Sequence, residues 1–255
     1  MGAPTAGRGV EIQGKHVVVT GGAGGLGGAI VAGLAGGGAV VYALDLPQAL
    51  DRVQHAGVRR IAVDVSDEED VIRALGEVAA SIDGLDAVVV ATGVQLHGRD
   101  GRIGDVSREV WEETQRINLT GTFLPVKHAI GLMARRERSS LVLIGSPTGL
   151  TMSGSGYSAY AASKAGMMAL ARVVAADYAA EGVRANVVIP GTMRTPLIEP
   201  LLADAARREE LLAGLPIGRL GEPDDLVGIV RWLVSDASSF ATGGFFPVDG
   251  GITAR

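Results

Sequence analysis

Short apolar runs punctuate this chain, and each is followed by residues with helical spacing. The runs cover residues 16–19, 39–44, 60–63, 86–90, 141–144 and 183–189. They are apolar throughout rather than alternating, the pattern of strands buried on both faces. Helical stretches fall between or after them, at about 26–34, 66–82, 107–135, 158–180, 197–214 and 223–234. Ser66, with Glu69 three residues on, predicts a capping box at the second of these. Strict strand–helix alternation predicts an α/β fold: a doubly wound parallel sheet of about seven strands with helices on both faces. A last strand is expected at 245–248, and Pro247, which lacks an N–H, points to an edge or a strand-end position. No linker or repeat divides the chain. Residues 1–13 read as a flexible lead-in and 14–255 as a single domain.

Between the first strand and the first helix stands Thr20-Gly-Gly-Ala-Gly-Gly-Leu-Gly27. Glycine there permits positive φ and close approach of backbone to a ligand. The free amides and dipole at the helix start suit a pyrophosphate, which points to Gly21, Gly24, Gly25 and Leu26. No Lys-Ser or Lys-Thr follows, so this is not a mononucleotide P-loop. The turn is of Rossmann type. Asp45, followed by Leu46, closes the second strand, where a carboxylate accepts hydrogen bonds from an adenosine ribose and repels a 2′-phosphate. No Arg or Lys lies in the glycine turn or directly after Asp45, so the cofactor reads as NAD rather than NADP. Asp64 and Val65, closing the third strand, are placed to meet adenine.

Composition removes other classes. The net charge of −5 argues against nucleic acid and a basic membrane-binding surface. No run of about 18 uncharged apolar residues is present to span a membrane. With no Cys there are no disulfides or thiolate metal sites, and the four His have no metal-ligand spacing, so no metal is expected. A cytoplasmic location is the expectation.

Tyr160 and Lys164 are four residues apart near the start of a helix, hence on one face. An ammonium beside a phenol favours the phenolate, giving a general acid or base for an alcohol/carbonyl pair. Ser146, just after the fifth strand, is placed to hydrogen-bond the same oxygen, and Asn118 to hold a water linking Lys164 to solvent. Tyr157 is a rival acid, but Ala161 stands where its paired Lys would be. No Gly-x-Ser-x-Gly elbow surrounds Ser146 or Ser155, which excludes a serine hydrolase.

Taken together, these residues resemble the short-chain dehydrogenase/reductase family over residues 14 to 251. The motifs stand in the family's order: the glycine turn, Asp64-Val65, Ala91-Thr92-Gly93, Asn118, Ser146, Tyr160-Ala-Ala-Ser-Lys164, Asn186-Val-Val-Ile-Pro-Gly191, Thr195 and Val248-Asp-Gly-Gly251. The resemblance implies a catalytic tetrad of Asn118, Ser146, Tyr160 and Lys164. It implies that Lys164 and Tyr160 also touch the nicotinamide ribose, and that Ala91, Thr92, Gly93, Pro190, Gly191, Met193 and Thr195 line the cofactor. Two departures stand out. The family often has Asn-Asn-Ala-Gly where this chain has Val90-Ala-Thr-Gly93, and the interval from Ser146 to Tyr160 is one residue longer than in many relatives.

Residues 196–215 carry Leu197, Ile198, Leu201, Leu202, Leu211, Leu212 and Leu215, a lid for a moderately hydrophobic alcohol or ketone. The helix at 158–180 is apolar nearly all round, which implies a second buried face and so a subunit interface; the resemblance implies a homotetramer. The expected activity is NAD-dependent interconversion of a secondary alcohol and a ketone. The alternatives are a 3-oxoacyl-thioester reductase and a non-catalytic dinucleotide-sensing protein.

Overall fold

The computed structural model describes residues 9–151 and 156–254. Residues 1–8 of the expected lead-in, part of the Gly149–Gly156 loop and the side chain of Leu201 lie outside the described residues. Seven strands form one sheet: β1 (His16–Thr20), β2 (Val40–Asp45), β3 (Arg59–Ala62), β4 (Ala87–Val90), β5 (Ser139–Ile144), β6 (Val183–Pro190) and β7 (Phe245–Val248). Their order is β3-β2-β1-β4-β5-β6-β7, with every pairing parallel. The chain winds outward from β1 to β3, then returns to β4 and winds the other way. The crevice at the carboxyl ends of β1 and β4 is thus the topological switch point, where such sheets bind ligands.

Nine α-helices connect the strands among the described residues: α1 (Gly25–Gly36), α2 (Glu68–Ala79), α3 (Arg108–Gln115), α4 (Gly121–Met133), α5 (Pro147–Thr151), α6 (Ser158–Asp177), α7 (Glu199–Leu202), α8 (Ala205–Ala213) and α9 (Val227–Val234). The uniformly apolar strands resolve into two cores. Val18, Val88, Leu141 and Val187 face α2, α4 and α6, where they meet Leu75, Met133 and Met167. Their neighbours Val17, Val19, Val89, Val142 and Val188 face α1 and α9, against Ile30, Leu34, Val230 and Leu233. The period-2 alternation is present in space but hidden in the sequence, because both faces are apolar. Each buried Val, Leu or Ile contributes roughly 1.5–3 kcal/mol to this packing.

Local details depart from the sequence expectations for identifiable reasons. Asp67, not Ser66, caps α2, accepting from the Asp70 amide at 3.0 Å. The Ser66 hydroxyl donates to Asp64 at 2.6 Å and is spent there. The helix expected over 107–135 is interrupted by a π-helical turn at Arg116–Thr120. The stretch at 197–214 divides into α7 and α8, and 223–234 starts as a 3-10 turn at Pro223–Leu226. Pro247 does sit on an edge strand. Gly244 and Val248 accept from β6 through their carbonyls, so the alternate position of Pro247 turns its nitrogen away from the sheet.

Candidate active site

The β1–α1 turn is built to admit a ligand's backbone-close approach. Gly21 has φ +66°, and a Cβ there would lie 2.7 Å from the Thr92 nitrogen. A Cβ on Gly27 would collide with the Gly21 carbonyl oxygen. Gly24 is the N-cap of α1 and supplies no side-chain cap, and the first turn holds no acidic residue, so the positive end of the helix faces the crevice open, with Gly25 and Leu26 in its first turn. Two buried hydroxyls, Thr20 Oγ1 and Thr92 Oγ1, have no hydrogen-bond partner among the described residues, and they lie at the carboxyl ends of β1 and β4. Open helix amides, a cradle without Cβ atoms and orphan hydroxyls at the switch point fit a dinucleotide.

Asp45 reaches the turn directly. Its carboxylate accepts from the Ala23 amide at 2.9 Å and from the Leu46 amide at 2.8 Å. A cavity of about 250 Å³ opens beside it, lined by Gly22–Gly25, Gly28, Val53, Arg52 and His55. Arg52 and His55 line this cavity and were not singled out by sequence reasoning. The 3-10 turn Pro47–Arg52 folds them back toward the glycines, and the tight proline-initiated turn was the available signal. Asp64 is held by Ser66 at 2.9 and 2.6 Å. The Val65 side chain is buried, and a Cβ on Gly121 would come within 2.8 Å of it.

On the other wall, Ala91 donates its amide to Thr20 at 3.0 Å. A Cβ on Gly93 would stand 3.3 Å from Lys164 Nζ and 3.5 Å from Asn118 Oδ1. Pro190 ends β6, and a Cβ on Gly191 would meet the Asp249 carbonyl at 2.6 Å. Thr195 is buried, and its Cβ would lie 3.0 Å from a Cβ on Gly25, so the 190–195 loop faces the glycine turn. The Met193 side chain packs against Gly221.

Asn118, Ser146, Tyr160 and Lys164 are brought together in this crevice. Ser146 follows β5, and its hydroxyl is near enough to the Tyr160 phenol to favour the phenolate. Lys164 Nζ lies 5.8 Å from the centre of the Tyr160 ring and donates to the Ile144 carbonyl at 3.0 Å. Burial lowers the Lys164 ammonium to about 8. Desolvation pushes the Tyr160 phenol up, against the smaller lowering effect of Ser146. Burial thus disfavours the charged forms of both groups. The Asn118 side-chain amide accepts from the Val94 amide at 2.7 Å and donates to the Val94 carbonyl at 2.9 Å and to Ser163 Oγ at 3.0 Å. The side chain fastens the β4 loop. It stands in the π-helical turn, a common place for functional residues. Tyr157 packs edge-on against His97, ring centres 6.1 Å apart.

A hydroxyl pair beside a buried lysine, facing a dinucleotide cradle, is equipped to move a proton at an alcohol or carbonyl oxygen. A family model described as Enoyl-(Acyl carrier protein) reductase matches residues 21–253. The chain belongs to the short-chain dehydrogenase/reductase family. It is 35% identical over 253 residues to a 2,5-dichloro-2,5-cyclohexadiene-1,4-diol dehydrogenase of Sphingobium indicum, covering 96% of this chain and 99% of the relative. It is 37% identical over 246 residues to a cis-4-hydroxycyclohexanecarboxylate dehydrogenase of Sinomonas cyclohexanicum, covering 94% and 97%. A gluconate 5-dehydrogenase from Burkholderia cenocepacia J2315, solved in complex with NADP and tartrate, superposes with a TM-score of 0.89 at 28% identity, covering 96% of this chain and 98% of that one. As a short-chain dehydrogenase/reductase, this chain is an oxidoreductase acting on CH–OH groups, interconverting a secondary alcohol and a ketone. The family uses NAD(P) nicotinamide cofactors. No described helix is long and apolar enough to cross a membrane. No cluster of three or more metal-ligating side chains occurs among the described residues.

Proposed function

We propose that this chain is an NAD-dependent dehydrogenase of cyclic secondary alcohols, with Tyr160 as the proton carrier. The observation that carries the reading is the Ser146–Tyr160 hydroxyl pair with Lys164 beside it in the switch-point crevice. Bound NAD supplies the hydride acceptor. Gly21, Gly24, Gly25 and Leu26 hold its pyrophosphate, Asp45 and Leu46 its adenosine ribose, and Asp64 and Val65 border the adenine. Ala91, Thr92, Gly93, Pro190, Gly191, Met193 and Thr195 enclose the nicotinamide half. Tyr160 accepts the substrate hydroxyl proton, Ser146 hydrogen-bonds the reacting oxygen as its charge changes, and Lys164 offsets the phenolate. Asn118 keeps the β4 loop in place beside Lys164.

The Asp45 carboxylate, lodged against the glycine turn, supports NAD over NADP by repelling a 2′-phosphate. The two relatives named from sequence act on six-membered ring alcohols, which supports a moderately hydrophobic cyclic substrate. Residues 14–255 act as one domain, with α7 and α8 as the substrate lid, in a cytoplasmic homotetramer. The second reading is a 3-oxoacyl-thioester reductase, favoured by the 30% identity of this chain to a 3-oxoacyl-[acyl-carrier-protein] reductase; Asp45 speaks against its usual NADPH. A panel of cyclic secondary alcohols and 3-oxoacyl thioesters, assayed with NAD(H) and NADP(H) at the reduced-cofactor absorbance, separates the two. Tyr160→Phe is expected to cut turnover by roughly 10²–10⁴-fold while NAD affinity stays within a few-fold. Turnover that survives in Tyr160→Phe removes the tyrosine from its role. Tight NAD binding with no turnover across the panel revives a dinucleotide sensor.

A further inference from the structure

Helix α6 carries Tyr160 in its first turn, yet its N-cap residue is Tyr157, which makes no side-chain capping bond. The amides of Ala159 and Tyr160 donate instead to the two oxygens of Asp100, at 3.2 and 3.0 Å. The amide and hydroxyl of Ser158 donate to the Gly101 carbonyl at 3.2 and 2.8 Å. All four bonds come from a loop 57 to 60 residues upstream. That loop is anchored at its other end too, where both backbone groups of Val94 are bonded to Asn118. Between the anchors the chain turns tightly: Arg99 and Asp100 donate to the Leu96 carbonyl at 3.0 and 2.8 Å, and Gly98 has φ +74°. The β4 loop is therefore a strut with one foot on Asn118 and the other on the backbone of Tyr160.

We propose that Asp100 is a positioning residue for Tyr160, fixing the first turn of α6 relative to Asn118 and Ser146. This rests on the reading of Tyr160 as proton carrier. First-turn amides have no intrahelical acceptor, and an unheld first turn frays. A carboxylate meets two of them at once and also complements the positive end of the helix. The Tyr160 amide is one of the two, so the bond sets the position of the residue that moves the proton. Displacement of a reacting group by about 1 Å costs on the order of 10²-fold in rate. A cap serving folding alone would not need to bear on that residue.

The test compares the full-length chain with Asp100→Ala and Asp100→Asn, using the cyclic secondary alcohol that wild type turns over fastest, with NAD in excess. Asp100→Ala, which loses both acceptors, is expected to lower kcat at least tenfold. KM for the alcohol and NAD affinity stay within about twofold to threefold. Asp100→Asn keeps one acceptor oxygen and is expected to recover part of the loss. A folded Asp100→Ala with kcat within twofold of wild type, or with a raised KM and an unchanged kcat, overturns the proposal. If Asp100→Ala fails to fold, Asp100→Asn decides: kcat lowered at least threefold at unchanged NAD affinity supports it, and a smaller change overturns it. Turnover retained in Tyr160→Phe, or no turnover of the panel by wild type, overturns the underlying reading instead.

Discussion

Lys164 is 5% exposed, and its ammonium donates to one backbone carbonyl, that of Ile144. Desolvation lowers it to about 8 from an ordinary 10.5. Folding therefore carries a cost for the charged form. The cost is present in full below about pH 8, is relieved as pH rises from 8 to 10.5, and is gone above the unfolded value. Lys164→Met keeps the apolar stem and removes the charge. It is expected to be inactive yet more stable at pH 7, by an amount on the order of 1–3 kcal/mol. The advantage shrinks toward pH 10.5. Urea midpoints of both proteins at pH 7 and at pH 9.5–10 check this, and parallel pH dependence would refute the buried-charge account. The site trades stability for a lysine held where its charge can act on Tyr160.

Glycines within helices show how one residue type takes opposite roles in different elements. Gly27 in α1 has no room for a Cβ, which would strike the Gly21 carbonyl oxygen. Gly76 in α2 is exposed, with nothing within 4 Å of a Cβ. Gly27→Ala is expected to shift the β1–α1 turn, cost about 1–3 kcal/mol and abolish tight NAD binding. Gly76→Ala is expected to stabilise by about 0.5–1 kcal/mol and leave NAD binding alone. Thermal melts with and without NAD read both. This contrast also marks what the sequence could reveal. The strands, the glycine turn and the spacing of Tyr160 and Lys164 were legible because each is local and repeats a physical period. The π-helical turn at Asn118 was not, because its side chain is committed to Val94, 24 residues away. Arg52 and His55 escaped because a proline-led turn returns them to the glycines. The capping role of Asp100 depends on partners that only the tertiary fold brings near. The α2 cap was misplaced by one residue because Asp64 claimed the Ser66 hydroxyl.

At the scale of the whole molecule, α6 has an outer side that the described residues leave uncovered. Met167, Met168, Ala171 and Val174 are buried, while Ala165, Ala169, Ala176 and a 53% exposed Val173 line the opposite side. Phe123 of α4 is 44% exposed as well. Such a face favours pairing with a second copy. Sedimentation at micromolar concentration is expected to show a species of four 26.1 kDa chains, and Val173→Glu a smaller one. A monomeric wild type would end the homotetramer proposal. The two margins of the sheet behave differently from this face. β3 is four residues long and begins with the exposed pair Arg59 and Arg60. β7 turns the nitrogen of Pro247 outward with no proton to offer. Loose peptides as rich in valine as these strands would template one another into fibrils without limit. Here a foreign strand meets a charged stub on one side and a missing donor on the other, so further growth of the sheet is blocked even in a crowded solution of identical chains.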